Sequence, residues 1–238
     1  MAYKRAMLIS TLLTGASAHG FGFGFGSTYF GATTISNKKI DSLTAHGSST
    51  VSKSNIKHDA TINGAANIDK TNIGGTLEVN GALTADKLEV GLQARVNGYL
   101  TARASLFQEG LTVNGKALLE DITTPVLRVK KSVELKNSTI TECIIGKKGS
   151  IFNSSVETLR GKFKRVSIKN SDIKTIIVEN ENESNVIITL VDSVISSIVT
   201  PDEQQVIVRM DKKSKIQEHL SDNIKIKIND SKKTVTCK

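Results

Sequence analysis

The chain has no tryptophan, and aromatic residues make up only 4% of its 238 residues. Large side chains therefore cannot fill the interior of a conventional globular domain, so the core must be aliphatic and narrow. There are only two prolines, the N-terminal apolar run is too short to span a bilayer, and no other segment could span one. Long disordered tracts are not expected past that region, because Ile, Val and Leu are spread almost evenly.

The N-terminus is typical of a secretory signal. Tyr3-Lys4-Arg5 supplies positive charge, residues 6–13 are a short apolar run, and Ala16-Ser17-Ala18 fits a cleavage site. We therefore expect a signal peptide over residues 1–18 and an exported protein. The alternative is a peripheral membrane-binding tail on a cytoplasmic, membrane-associated protein.

Residues 19–44 follow this segment and begin with an alternation of glycine and phenylalanine. Glycine leaves such a backbone with little to fix it, so we expect a flexible leader. The alternative is an aromatic tag for self-association, since three phenylalanines on a mobile backbone bury apolar surface only against a partner.

Only two cysteines are present, Cys143 and Cys237. In an exported protein an even number permits one disulfide bond, which by closing so long a loop would stabilise the fold by roughly 4–5 kcal/mol. Two free thiols, or an intermolecular bridge through Cys237 near the C-terminus, are the alternatives.

A tripeptide returns every 17 residues in the first half of the chain, at Ile62-Asn63-Gly64, Val79-Asn80-Gly81, Val96-Asn97-Gly98 and Val113-Asn114-Gly115. A fixed short period indicates one structural unit stacked on copies of itself. Within each repeat, apolar residues recur at steps of two in short bursts, which favours brief strands separated by tight turns over helices.

These features predict an all-β fold: a single-stranded parallel β-helix, or β-solenoid, with about 17 residues per turn and three short faces around an aliphatic interior. The coil is predicted over residues 45–198. Its corner glycines are expected where the backbone needs a positive φ or approaches another backbone closely, at Gly47, Gly64, Gly81, Gly98 and Gly115.

The second half continues the period with a different corner, at Asn137-Ser138, Asn153-Ser154 and Asn170-Ser171. Asn and Ser can bond to their own turn backbone and so replace glycine there. Asp192-Ser193 is interpreted as a looser copy, after an insertion around residues 179–185.

Residues 199–238 break the pattern and are predicted to form a small α/β capping segment. A strand is expected at 206–208, a short amphipathic helix at 213–220, and a strand in which Ile224, Ile226 and Ile228 alternate with lysines. Such a segment would cover the exposed backbone at one end of a coil.

The net charge of +9 is uneven, because 21 of the 32 basic residues but 14 of the 23 acidic residues lie from Arg128 onward. Most basic residues stand singly between hydrophobic ones, as outward positions of strands do. A candidate contact with anionic surfaces, such as cell-envelope or surface glycans, comprises Lys147, Lys148, Lys162, Lys164 and Arg165. Nucleic-acid binding is not expected, because aromatic residues that could stack on bases are missing.

No motif for catalysis, metal binding or a cofactor is found, so we expect no enzyme and no cofactor. Asp69 and Asp86 share a register position, as the paired carboxylates of polysaccharide-degrading coils would. However, Arg103 and Glu120 follow at the same position, so a mixed charge column along a solvent-facing surface is predicted.

Residues 81–91 (GALTADKLEVG) and 94–102 (ARVNGYLTA) resemble the bactofilins, bacterial polymer-forming scaffold proteins, and the resemblance extends over residues 56–119. It implies a right-handed triangular coil that joins end to end into filaments without nucleotide, usually attached to the inner membrane and cell-wall machinery. The chain departs from this family in its export signal, its degenerate second half and its capping segment.

The leading functional hypothesis is a non-enzymatic, exported bacterial scaffold that self-associates through its end turns at the cell envelope or surface. The alternatives are an adhesin or anionic-glycan-binding module, a cytoplasmic membrane-associated polymer of the bactofilin type, and an exported carbohydrate-active enzyme that uses Asp69 and Asp86.

Overall fold

The computed structural model describes residues 26–179, 185–201, 204–218 and 223–228. These residues form a parallel β-solenoid of about 11 turns, with about 17 residues per turn and no helix. At a spacing of about 4.8 Å between turns the coil is about 50 Å long. The predicted fold class is confirmed, whereas the predicted signal peptide lies outside the described residues.

The described residues form 25 strands, and all their pairings are parallel. In chain order they are β1 (Ser27–Phe30), β2 (Thr33–Ser36), β3 (Lys39–Ile40), β4 (Leu43–His46), β5 (Ser49–Ser52), β6 (Asn55–Ile56), β7 (Ala60–Asn63), β8 (Ala66–Ile73), β9 (Leu77–Val79), β10 (Leu83–Val90), β11 (Gln93–Val96), β12 (Leu100–Phe107), β13 (Gly110–Val113), β14 (Ala117–Val129), β15 (Ser132–Lys136), β16 (Thr139–Ile145), β17 (Lys148–Phe152), β18 (Ser155–Gly161), β19 (Arg165–Lys169), β20 (Asp172–Val178), β21 (Val186–Val191), β22 (Val194–Val199), β23 (Val206–Met210), β24 (Lys215–Ile216) and β25 (Ile224–Ile228).

Three faces follow from the strand pairing. The first face begins with β1, β4 and β7, the second with β2, β5 and the first half of β8, and the third with β3, β6 and the second half of β8. From β8 onward several strands, such as β10 and β12, bend around one corner and so contribute to two faces.

The core is a column of aliphatic side chains that repeat in register. On the first face, Ile62 stacks on Val79, followed by Val96, Val113 and Val129, and all five are buried. Each such side chain contributes about 1.5–3 kcal/mol when it is fully removed from water. The predicted narrow aliphatic interior is therefore present.

The coil starts earlier than the predicted Ala45. Strands β1, β2 and β3 already pair with β4, β5 and β6, so residues 26–44 belong to the coil and do not form a flexible leader. The sequence did not reveal this turn because polar Thr33 occupies an inward position beside Ile35. Residues 19–25 lie outside the described residues.

The coil also continues beyond the predicted end at Ile198. Strand β23 pairs with β21, and β25 pairs with β23, so the strands predicted near 206 and 224 extend the second face. Pairing offsets grow to 22 residues between β20 and β22, which agrees with the insertion predicted around residues 179–185.

The helix predicted at 213–220 is wrong over residues 213–218. Lys215 and Ile216 form β24, which pairs with Val194 and Ile195. The backbone N–H of Lys215 donates to the carbonyl of Ser193 at 2.9 Å, so an existing strand edge supplies partners that an isolated short helix would lack.

Candidate functional site

The predicted corner glycines bring backbone against backbone. A Cβ atom added at Gly64, Gly81, Gly98 or Gly115 would collide with the carbonyl oxygen of the corner glycine one turn earlier. Gly47 meets Gly31 in the same way, so the glycine column extends one turn further than the sequence analysis assigned. Close approach explains the five predicted glycines, and a left-handed φ of 127° adds a second requirement at Gly47. Gly31 has no close neighbour, and its φ of 80° is what favours glycine there.

Asparagine side chains stack outside this corner. The Nδ2 of Asn80 donates to Oδ1 of Asn63 at 2.8 Å, that of Asn97 to Asn80 at 2.5 Å, and that of Asn114 to Asn97. At the other end, Asn63 Nδ2 lies 3.3 Å from Nδ1 of His46. This column ties five successive turns together and explains the Asn of the repeated tripeptide.

A second corner, between the second and third faces, combines a left-handed residue with a buried hydroxyl. Asn137, Asn153 and Asn170 each have a φ of 49°, as the predicted Asn-Ser corner suggested. The following serine turns inward: Ser154 Oγ donates to the carbonyl of Phe152 at 2.8 Å and accepts from the N–H of Ser138 at 3.1 Å. Sequence reasoning missed this connection between turns, although the repeated serine carries the signal.

The carboxylates that could support catalysis lie in a mixed charge column on the second face. Asp69 pairs in register with Asp86, Asp86 with Arg103, and Arg103 with Glu120. Asp69 also contacts Lys70, with 3.7 Å between Oδ2 and Nζ. Among the described residues, no three His, Cys, Asp or Glu side chains converge as metal ligands.

The basic residues singled out from the sequence lie close together at one corner. Lys148 pairs in register with Arg165, and the backbone N–H of Lys164 donates to the carbonyl of Lys147. All five side chains, including Lys162, are exposed. We call this group the C-terminal basic corner.

A second basic group was missed. Lys53, Lys70 and Lys87 occupy the left-handed position of the corner between the second and third faces, in successive turns. They are spaced by 17 residues, so the period itself carried the signal. Together with Lys38 and Lys39 of the first turn we call them the lysine corner.

Cys143 is part of the core column. It stacks in register between Leu127 and Leu159 and is fully buried. Burial raises the pKa of its thiol to about 12, so the neutral form is strongly favoured. Its thiol is free, and Cys237, the other member of the suggested disulfide, lies outside the described residues.

Within the described ranges, no helix is long and apolar enough to cross a membrane. No protein-family model matches the chain, and no match was found among curated proteins or solved structures. The coil is therefore established from its own strand pairing, and the resemblance to bactofilins stays a prediction.

Proposed function

We propose that this protein is a non-enzymatic structural scaffold, exported by a bacterium to its envelope or surface, that self-associates through the end turns of its coil. The observation that carries the proposal is the C-terminal end of the described coil. Ile226 and Ile228 continue the inward-facing column of β23, yet they are 45% and 62% exposed. Apolar core positions left open at an end favour association with another surface.

The N-terminal end of the described coil supports the same proposal. Strands β1, β2 and β3 each pair only with the following turn, and no described strand lies on their other side. A row of unpaired N–H and C=O groups is a template for a further strand. The two ends of a parallel coil thus offer complementary edges for head-to-tail stacking.

Light scattering and electron microscopy over a range of protein concentrations test this assembly. The wild type should form particles that lengthen with concentration, and Ile226→Lys with Ile228→Lys should shorten them. The matched control is Leu92→Lys with Leu106→Lys, since these residues are 40% and 36% exposed on the sides of the coil. A strictly monomeric wild type at high concentration would remove the assembly proposal.

Export is tested separately by the N-terminal residue of protein purified from its source. A chain that starts at His19 would agree with cleavage after Ala18. An intact N-terminus on membrane-bound protein would favour the cytoplasmic polymer of the bactofilin type.

A second candidate function is contact with anionic glycans through the C-terminal basic corner. The close register of Lys148 and Arg165, with Lys147 and Lys164 beside them, favours it. In the next turn Glu179 occupies the position of Lys162, and this carboxylate weakens the attraction of the corner for an anion.

A further inference from the structure

The lysine corner contradicts the local preferences of the backbone. Lys53, Lys70 and Lys87 adopt φ values of 48°, 45° and 51°. Asn and Asp tolerate this left-handed conformation better than Lys, and they occupy the same corner in six other turns: Asn37, Asp121, Asn137, Asn153, Asn170 and Asp192. Ala104 occupies it in one further turn, with a φ of 47°. The corner thus forms with Asn, Asp and even Ala, so turn formation alone does not require a lysine at three positions.

Electrostatics inside the protein does not explain them either. Like charges in register on neighbouring turns, about 4.8 Å apart, repel one another. Lys70 has a carboxylate partner in Asp69, at 3.7 Å. In the part of the chain that the structure describes, neither Lys53 nor Lys87 has a carboxylate within the 4.0 Å of an ion pair.

The lysine corner borders a shallow groove of about 370 Å³ on the third face. Four of the lysines and several asparagine side chains line the groove, and no carboxylate does. The residues that would contact a ligand are Lys38, Lys39, Lys53, Lys70, Asn55 and Asn72. Glu89 accepts a hydrogen bond from Asn72 at 3.5 Å and marks the acidic limit of the groove in the next turn. The groove therefore offers positive charge and hydrogen-bond donors to an anion.

We propose that this groove binds a linear anionic polysaccharide, with its carboxylates against the lysine corner. The lysines repeat along the coil axis at about the spacing of turns, 4.8 Å, which is close to the length of one sugar residue in an extended chain. The amides of Asn55 and Asn72 can both donate and accept hydrogen bonds, as sugar hydroxyls can. They therefore suit a polysaccharide better than they suit a polymer that offers only acceptors. No aromatic side chain lines the groove for stacking on nucleic-acid bases.

The test replaces each lysine by the residue that the same corner uses elsewhere: Lys53→Asn, Lys70→Asn and Lys87→Asn together. Because Asn suits the left-handed backbone, this variant should fold with a Tm no lower than that of the wild type. The matched control removes the same charge from the C-terminal basic corner, with Lys147→Gln, Lys148→Gln and Lys164→Gln. Fluorescence anisotropy would measure binding of labelled oligogalacturonate, neutral dextran and single-stranded DNA to the full chain.

The wild type should bind oligogalacturonate, with an affinity that falls as the salt concentration rises, and should not bind dextran. The Lys→Asn variant should bind about tenfold more weakly, as expected when Lys53 and Lys70 in the groove and Lys87 beyond its edge lose their charges, whereas the control should change less than about twofold. The proposal is overturned if the wild type does not bind the glycan or if both variants weaken binding equally. It is also overturned if only the control variant weakens glycan binding, or if the wild type binds DNA more tightly than the glycan.

Discussion

The Oγ of Ser138 accepts a hydrogen bond from the backbone N–H of Ile122, one turn earlier, at 3.0 Å. The same hydroxyl donates to the carbonyl of Lys136 at 2.6 Å. One buried side chain thus satisfies two backbone groups that belong to different turns, at a corner where regular strand pairing is interrupted.

Replacing Ser138 by Ala should destabilise the protein by about 1–3 kcal/mol, because both backbone groups would stay buried without a partner. Urea unfolding followed by circular dichroism measures the change. Ser150→Ala, at an exposed position of β17, is the control and should have an effect within about 0.5 kcal/mol. Equal losses for both variants would contradict the role of the buried hydroxyl.

Ser49 should behave in the opposite way. Its Oγ is buried and has no hydrogen-bond partner among the residues that the structure describes, and Ala66 occupies the same register position one turn later. Ser49→Ala removes a desolvated hydroxyl without leaving a partner behind, so we expect stability to rise by about 1 kcal/mol. A loss of stability in the same urea assay would show that this hydroxyl has a partner in solution.

Gly98→Ala should be among the most damaging small substitutions. The new Cβ would press on the carbonyl oxygen of Gly81, which the stacked turns hold in place. We expect a loss of about 1–3 kcal/mol or more, measured by thermal unfolding, as for overpacking of a core. Tyr99→Ala changes the adjacent exposed residue and should cost less; the reverse order would contradict the close approach.

Cys143 should be unreactive in the folded protein, since its thiol is buried and its pKa is raised to about 12. In a Cys237→Ser background, a thiol reagent should label the chain only after unfolding. Adding Ser150→Cys supplies an exposed thiol that should react at once. Rapid native labelling of Cys143 would show that the core column opens.

The pH dependence follows from the direction of that pKa shift. The folded state disfavours the thiolate, so the contribution of the neutral thiol is complete below the unfolded value of about 9. It is lost as pH rises from there toward 12. Cys143→Val, which cannot ionise, should flatten this part of the stability profile measured by urea unfolding.

The coil could be predicted from the sequence because each residue of the Val-Asn-Gly repeat has a structural role that recurs every 17 residues. Gly98 avoids a collision with Gly81, and Asn97 bonds to Asn80. The first turn was missed because Thr33 replaces an aliphatic residue at an inward position. The prediction of a short helix was wrong because it relied on a local four-residue apolar spacing around Ile216. That spacing carries no information about β22, the earlier strand whose edge pairs with this segment.

The candidate sites were harder to predict. Residue types alone suggested the C-terminal basic corner, since its lysines and arginine lie close in sequence. The lysine corner remained hidden because Lys53, Lys70 and Lys87 look like isolated surface charges until the turns are aligned. Only the left-handed φ values show that residues less suitable than Asn or Asp occupy that position in four consecutive turns, three of them lysine and the fourth Ala104.

The asparagine column that starts at Asn63 makes neighbouring turns interchangeable. Each amide receives one bond from the turn after it and gives one to the turn before it, as between Asn80 and Asn97. A duplicated 17-residue unit could therefore enter the middle of the column and find partners already in place on both sides. Such a rod can therefore lengthen or shorten by whole turns while the remaining turns keep the same core packing.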